Sequence, residues 1–388
     1  MQKFKKLSPH LIVILLFVGI SFTYFSPVLQ GKMLDMADIT HHKGMSKELI
    51  DFREATGEEA LWTNSMFSGM PAYQISTRSN GNLIQYVAKA LSLGIPRPAN
   101  LLFLYLLGFY LLLLSLKVDY RLSAVGAIAF SFSSYFFIII MAGHMSKAHA
   151  IAYVPMVVAA VLYTYRGRML LGGVLTALTV ALEINCNHFQ ITYYLLLILL
   201  LIGIVQFVKD LKANNLADFA KRSAVLVFAG LLASGTSLTR LSTTMEYGEA
   251  STRGKSELTT DLDNKTSGLD KDYATSWSYG IAETFTLLIP NFYGGASQGS
   301  LTTDSETYQA IKRAPNAKQL IKQLPLYWGT QPFTSGPTYA GAIVMFLFIF
   351  GLLFVKSEMR VWILLATIMS IMLAWGKNFM PLTYFFFF

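Results

Sequence analysis

Apolar runs alternate with polar stretches along almost the whole chain, near residues 11–29, 99–116, 122–141, 148–165, 169–185, 189–208, 223–238, 337–355 and 361–375. Most approach the roughly 20 residues that a helix needs to cross a bilayer. The bases between them are not evenly spread. Lys3, Lys5 and Lys6, Lys117 and Arg121, Arg166 and Arg168, Lys209 and Lys212, Lys221 and Arg222, and Lys356 and Arg360 all fall on one set of junctions. The alternate short turns carry Lys147 and Lys377. Positive charge marks the cytoplasmic side of membrane helices, so the N-terminus is expected inside a cytoplasmic membrane that the chain crosses many times.

This pattern predicts an all-α polytopic membrane protein. A first helix at 11–29 leads to an outer loop, 30–98. A bundle of six helices at 99–238 is followed by a second outer loop, 239–336, then two helices at 337–375. A further apolar segment at 381–388 is too short to span and reads as the start of an interrupted tenth helix. Within the first loop Met45, Leu49 and Phe52 recur at helical spacing among charged residues, which predicts a surface helix; Leu83 to Gly94 predicts a second. Trp62, Phe67, Gly69, Met70, Pro71 and Tyr73 form an aromatic turn between them.

Composition narrows the class further. A mean hydropathy of +0.47 excludes an ordinary soluble domain. The net charge of +9 does not imply nucleic acid, because the bases cluster at helix ends and form no stripe interleaved with aromatics. The single cysteine, Cys186, leaves no internal disulfide. Motifs for nucleotide-phosphate binding, serine hydrolysis and kinase chemistry are missing from the sequence.

The polar residues collect on the outer side. Five of the six histidines fall there: His41, His42, His144, His149 and His188. Asp35 and Asp38 lie three residues apart just beyond the first helix, where a carboxylate can act as general base or hold a hard divalent cation. Glu183 and Gln190 fall within the expected apolar slab beside Asn187 and His188; such groups usually face a cavity or a hydrogen bond to a neighbouring helix. Arg253-Gly254-Lys255, with Arg240 upstream, offers cations and a glycine that lets backbone approach a phosphate. Asp261-x-Asp263 and Asp270-x-Asp272 mimic the pair that grips nucleotide diphosphates, but nucleotide sugars are normally absent outside the membrane. In the second loop, aromatics beside amides and hydroxyls at Trp277–Gly295 and Tyr327–Phe333 suit sugar rings; an interfacial belt has the same mixture but would not need so long a loop, which favours ligand binding.

Several stretches carry a resemblance. They are Tyr24–Leu29 through Asp38-Ile39, Trp62–Ser65 to Gly69-Met70-Pro71, and Gly143-His144 to Ala148-His149-Ala150. Glu183–Asn185 to Asn187–Gln190, Ser251–Leu258 and Tyr279–Glu283 complete the set. Together they resemble the YfhO family of bacterial membrane proteins, within the C-type glycosyltransferase superfamily, whose members are usually much longer. The resemblance implies a C-type glycosyltransferase-like helix bundle with two large extracytoplasmic loops. It implies transfer of a sugar from a polyprenyl-phosphate donor to an envelope glycan or lipid acceptor on the outer face. Asp38 matches the acidic base or metal ligand, with Asp35 beside it. Arg253, Lys255 and Arg240 would then hold the donor phosphate, and His144, Lys147, His149, Glu183, Asn187, His188 and Gln190 would line the cavity. A divalent cation is an optional cofactor, with no ligand set fixed. A transporter or lipid-carrier translocase, or a non-catalytic envelope scaffold, are the alternatives.

Overall fold

The computed structural model describes residues 2–251, 253–254, 268–357 and 359–387. The chain is mostly helical, and its two described strands form one short hairpin. It divides into two compact units, one of residues 1–132 and 139–246, the other of residues 133–138 and 247–388.

The first unit begins with α1 (Gln2–Tyr24). The loop beyond it carries α2 (Ala37–Met45), α3 (Lys47–Thr56), the hairpin β1 (Trp62–Thr63) and β2 (Met70–Pro71), and α4 (Ile84–Leu91). The bundle follows as α5 (Ala99–Ser115), α6 (Tyr120–Ser131), α7 (Ser134–Ala142), α8 (Met145–Tyr165), α9 (Met169–Asn185), α10 (Phe189–Lys212), α11 (Leu216–Gly235) and α12 (Leu238–Glu249), the last bent 77° from α11. The first turn of α7 and the end of α12 are counted with the second unit.

Helices α5 and α8 show why composition alone does not say what a helix faces. α5 is apolar all round and almost wholly buried from Ala99 to Leu107; it packs on α1, α6 and α8. α8, packed against α5 and α9, is buried from Met156 to Val161. α10 is also strongly apolar along most of its length, yet Leu196, Leu200, Ile204 and Phe207 are exposed on it. An apolar surface of that extent is untenable in water and suits lipid tails. Among the described residues three helices are long and apolar enough to cross a membrane, or up to six if each of three bent pairs is one span.

The two ends of this unit differ. At one end Arg166 donates to the carbonyl of Ser115, and Arg222 donates to the carbonyl of Tyr165 at 2.7 Å. Asp210, buried there, lies 3.8 Å from Arg222 and accepts from Gln206 Nε2 at 2.8 Å. The basic junctions around 115, 166, 210 and 222 are thereby gathered together. At the other end the first loop lies over the bundle: Asn82 Nδ2 donates to Asn185 Oδ1 and to the Thr236 carbonyl, both at 3.1 Å.

The second unit holds the short helices α13 (Lys271–Ala274), α14 (Glu306–Ile311) and α15 (Ala317–Leu320). It then continues into the apolar α16 (Ala342–Phe354), α17 (Met359–Ala374) and α18 (Met380–Phe387). The first turn of α7 is fastened into it, with Ser134 Oγ donating to the Pro337 carbonyl at 2.8 Å. Glu283 is buried in it and accepts from Tyr327 Oη and Gln331 Nε2, each at 2.9 Å.

Candidate functional site

A single glycine brings the two halves of the candidate site together. α7 ends in a paired cap: Gly143 N–H donates to the Ile140 carbonyl at 3.1 Å, and His144 N–H to the Ile139 carbonyl at 3.0 Å. That closure places Gly143 at φ +91, which side-chain-bearing residues rarely adopt. A Cβ on Gly143 would also meet Asp38 Cβ at 3.0 Å and the Asp38 and Ile39 amides at 3.3 Å. Only glycine therefore lets the α7–α8 turn touch the first turn of α2, where Asp38 sits.

His144 follows at once and starts α8, its carbonyl accepting from Ala148 N–H at 2.9 Å. The position turns its ring toward α2, so that Nε2 lies 3.2 Å from Asp38 Oδ2. Both side chains are about half exposed, at 43% for His144 and 51% for Asp38, so the pair stays reachable by a ligand. Burial holds His144 below the usual histidine range; the charge of Lys147 adds to this, and Asp38 opposes it. The imidazole is therefore neutral near pH 7.

Asp38 and His144 form one wall of an open cleft of about 320 Å³. Gly143, Met145, Ser146 and Lys147 continue that wall, and His188, which starts α10, faces in from the α9–α10 turn. Among the described residues no carboxylate pairs with Lys147. The cleft thus combines a carboxylate, a neutral imidazole beside it, a second histidine and one uncompensated ammonium.

The other residues singled out from the sequence lie elsewhere. Asp35 is exposed in the extended segment before α2. His149 Nδ1 bonds back to the Met145 carbonyl at 2.8 Å. Glu183 is wholly buried, both its oxygens accepting from Thr192 Oγ1 at 3.0 Å. Asn187 is an exposed turn residue at φ +57, and Gln190 Nε2 donates to Tyr194 Oη at 3.0 Å. Arg240 is engaged with the end of α9, donating to the Asn185 carbonyl at 3.1 Å. Arg253 is exposed and belongs to the second unit; Lys255, Asp261 and Asp263 lie outside the described residues.

Sequence reasoning missed Asn82, which ties the first loop to the turn that carries His188, and Glu48, which organises the aromatic turn at 62–70. Their partners stand 15 residues or more away, so no local spacing signals them. A resident divalent cation is not supported by the donors. No group of three or more histidine, cysteine or acidic side chains is placed to hold one among the described residues, and Lys147 beside the Asp38–His144 pair would repel it. Compared with protein-family profiles, curated proteins and solved structures, the chain has no match.

Proposed function

We propose that this chain is a membrane glycosyltransferase of the YfhO type, moving a sugar from a polyprenyl-phosphate donor to an acceptor hydroxyl at the outer face of the cytoplasmic membrane. The observation that carries the proposal is the Asp38–His144 pair, 3.2 Å apart, in an open cleft shared with Lys147. The cleft lies at the end of the first unit away from the Arg166–Asp210–Arg222 cluster. Bases favour the cytoplasmic side, so the cluster supports an inner location for that end and an outer one for the cleft.

The chemistry follows from the residues. The acceptor oxygen attacks the anomeric carbon from the face opposite the phosphate. The bond from that carbon to the phosphate oxygen breaks, its electron pair leaves on the phosphate, and the acceptor proton passes to the Asp38 carboxylate. Configuration at the anomeric carbon inverts. Negative charge grows on the departing phosphate, and an ammonium already in the cleft, Lys147, stabilises it without reorganising. A protonated His144 would lock Asp38 in an ion pair and weaken it as a base; the depressed basicity of His144 prevents this near neutrality. Glu183, on which a transport path would rely, is buried and satisfied by Thr192, so a translocase gains no support.

The test is turnover of a polyprenyl-phosphate sugar by the chain in nanodiscs. Asp38→Asn should lower it on the order of 10²-fold or more while donor binding persists. For the wild type, the rate is full above the His144 titration and falls as pH drops through it, at a pH below the free-histidine value of about 6.5. His144→Asn should erase that acid limb. Normal turnover by Asp38→Asn would refute the mechanism.

A further inference from the structure

The hairpin β1–β2 holds two aromatic rings away from the protein. Trp62 is 56% exposed and Phe67 is 83% exposed. The backbone beneath them is nevertheless fixed. Glu48 on α3 accepts from Thr63 Oγ1, from Ser65 Oγ at 2.7 Å and from Ser65 N–H at 3.1 Å. Trp62 pairs with Pro71 and Thr63 with Met70 across the hairpin. At its tip Phe67, Ser68 and Gly69 run at φ 51, 62 and 118, a sequence of left-handed residues that L side chains disfavour. The indole of Trp62 lies across Gly69, where a Cβ would come within 2.9 Å of Cζ2 and 3.0 Å of Nε1. That contact seats the indole against the tip of the hairpin.

We propose that Trp62 and Phe67 form a stacking platform for an uncharged glycan, which serves as the acceptor; the acceptor role rests on the glycosyl-transfer function above. Sugar rings present apolar faces edged by hydroxyls. The platform matches that chemistry with two aromatic rings and the exposed polar side chains of Asn64 and Ser68. A bilayer surface is the other common partner of exposed aromatics. Here Glu48, Asp51, Glu54, Glu58 and Glu59 outnumber Lys47, Arg53 and Arg78; Lys47 and Arg53 are already paired, with Asp51 at 2.7 Å and Glu59 at 2.6 Å, and Arg78 lies beside Glu59. Such a neighbourhood repels anionic headgroups and phosphorylated glycans alike. An uncharged sugar meets no such cost.

The experiment measures saturation transfer by NMR from the full chain in nanodiscs to three neutral hexasaccharides: cellohexaose, chitohexaose and maltohexaose. At least one should receive saturation on its ring protons. Trp62→Ala and Phe67→Ala should each weaken binding about tenfold, while Trp62→Phe keeps most of it. Both rings are exposed, so these variants should fold, and unchanged hydrogen exchange in α5 and α8 checks that they do. Transfer to none of the three sugars, or undiminished transfer in both alanine variants, overturns the platform. Quenching of the Trp62 fluorescence by brominated phosphatidylcholine, read as wild type minus Trp62→Phe, assigns the loop to lipid and also overturns it. Asp38→Asn separates the two proposals. It should bind the hexasaccharide normally while transfer falls on the order of 10²-fold or more. Sugar binding by a chain that never turns over a polyprenyl-phosphate sugar removes the transfer function and leaves the platform standing.

Discussion

Trp62 in the first unit and Trp328 in the second are built by the same device. Each indole lies against a glycine of positive φ: Gly69 at φ 118, and Gly294 at φ 83, where a Cβ would stand 2.6 Å from Trp328 Nε1. Each loop is clasped by a carboxylate that accepts from uncharged donors, Glu48 for the first and Glu283 for the second. The settings differ. Glu48 is partly exposed, and hydrogen bonds from Thr63 and Ser65 bring its carboxyl down to about 2. Glu283 is buried among Gly280 N–H, Tyr327 Oη and Gln331 Nε2, and burial beside it pushes the Tyr327 phenol up to about 12. Around Trp62 the chain is dense in acids, whereas residues 323–336 around Trp328 carry no charge and lead into the apolar α16. One device therefore serves two environments: one rich in acids, the other uncharged and continuous with an apolar helix.

The two loops should differ most at their clasps. Glu283→Ala would remove a buried acceptor and leave the half-buried donors of Gly280, Gln331 and Tyr327 short of a partner. We expect local opening of the 280–331 region to become easier by about 3 kcal/mol, read by hydrogen exchange. Glu48→Ala frees the exposed Ser65 donors, which water can reach, while the buried Thr63 hydroxyl keeps Ser65 Oγ as a partner at 3.0 Å, so the same measurement at 62–70 should move less. Equal effects would mean that burial does not separate the two loops.

The glycines should respond differently as well. A Cβ on Gly294 meets the Leu326 carbonyl at 1.8 Å as well as the indole, and backbone cannot swing aside. Gly294→Ala should cost about 1–3 kcal/mol in the second unit's thermal stability. At Gly69 the obstructing atoms belong to the Trp62 side chain, which can rotate away. Gly69→Ala should lose less stability than Gly294→Ala yet still disturb the platform. A larger stability loss at Gly69 would reverse the assignment of rigid and yielding contacts.

The smallest effect concerns pH. The Glu48 carboxyl titrates lower in the folded chain than its unfolded value of 4.5, so its contribution is complete above 4.5 and is lost as pH falls toward about 2. Proteolysis of the 62–70 loop should therefore quicken across that window, and Glu48→Gln should flatten the dependence. A loop whose cleavage is the same at both ends of the window would show that the clasp does not hold it.

Much of the candidate site was legible as residues but not as an arrangement. Asp38, His144, Lys147 and His188 stand out as polar groups beside apolar runs, because such placement is costly without a use. Nothing local tells them from Glu183, Gln190 or Arg240, which have the same polarity and similar positions. Contacts separate the two sets: Thr192 satisfies Glu183, Tyr194 takes Gln190, and the end of α9 takes Arg240. Glu48 and Asn82 went unnoticed because a polar residue on an outer loop is ordinary until its distant partner is known.

The sequence by itself determined the helical class, the alternation of apolar and polar segments and the sorting of bases to one set of junctions. These depend on the composition of successive stretches and on the length of a helix needed to cross a bilayer, and both can be read one segment at a time. Tertiary structure alone decided that α5 is buried by protein while α10 shows its side chains outward. It also decided that Gly143 seats Asp38 against His144, and that two tryptophans far apart in the chain share one mounting. Those outcomes depend on which residues meet in space, some of them more than 100 positions apart, and a steric fit or hydrogen bond of that kind leaves no period or spacing in the chain.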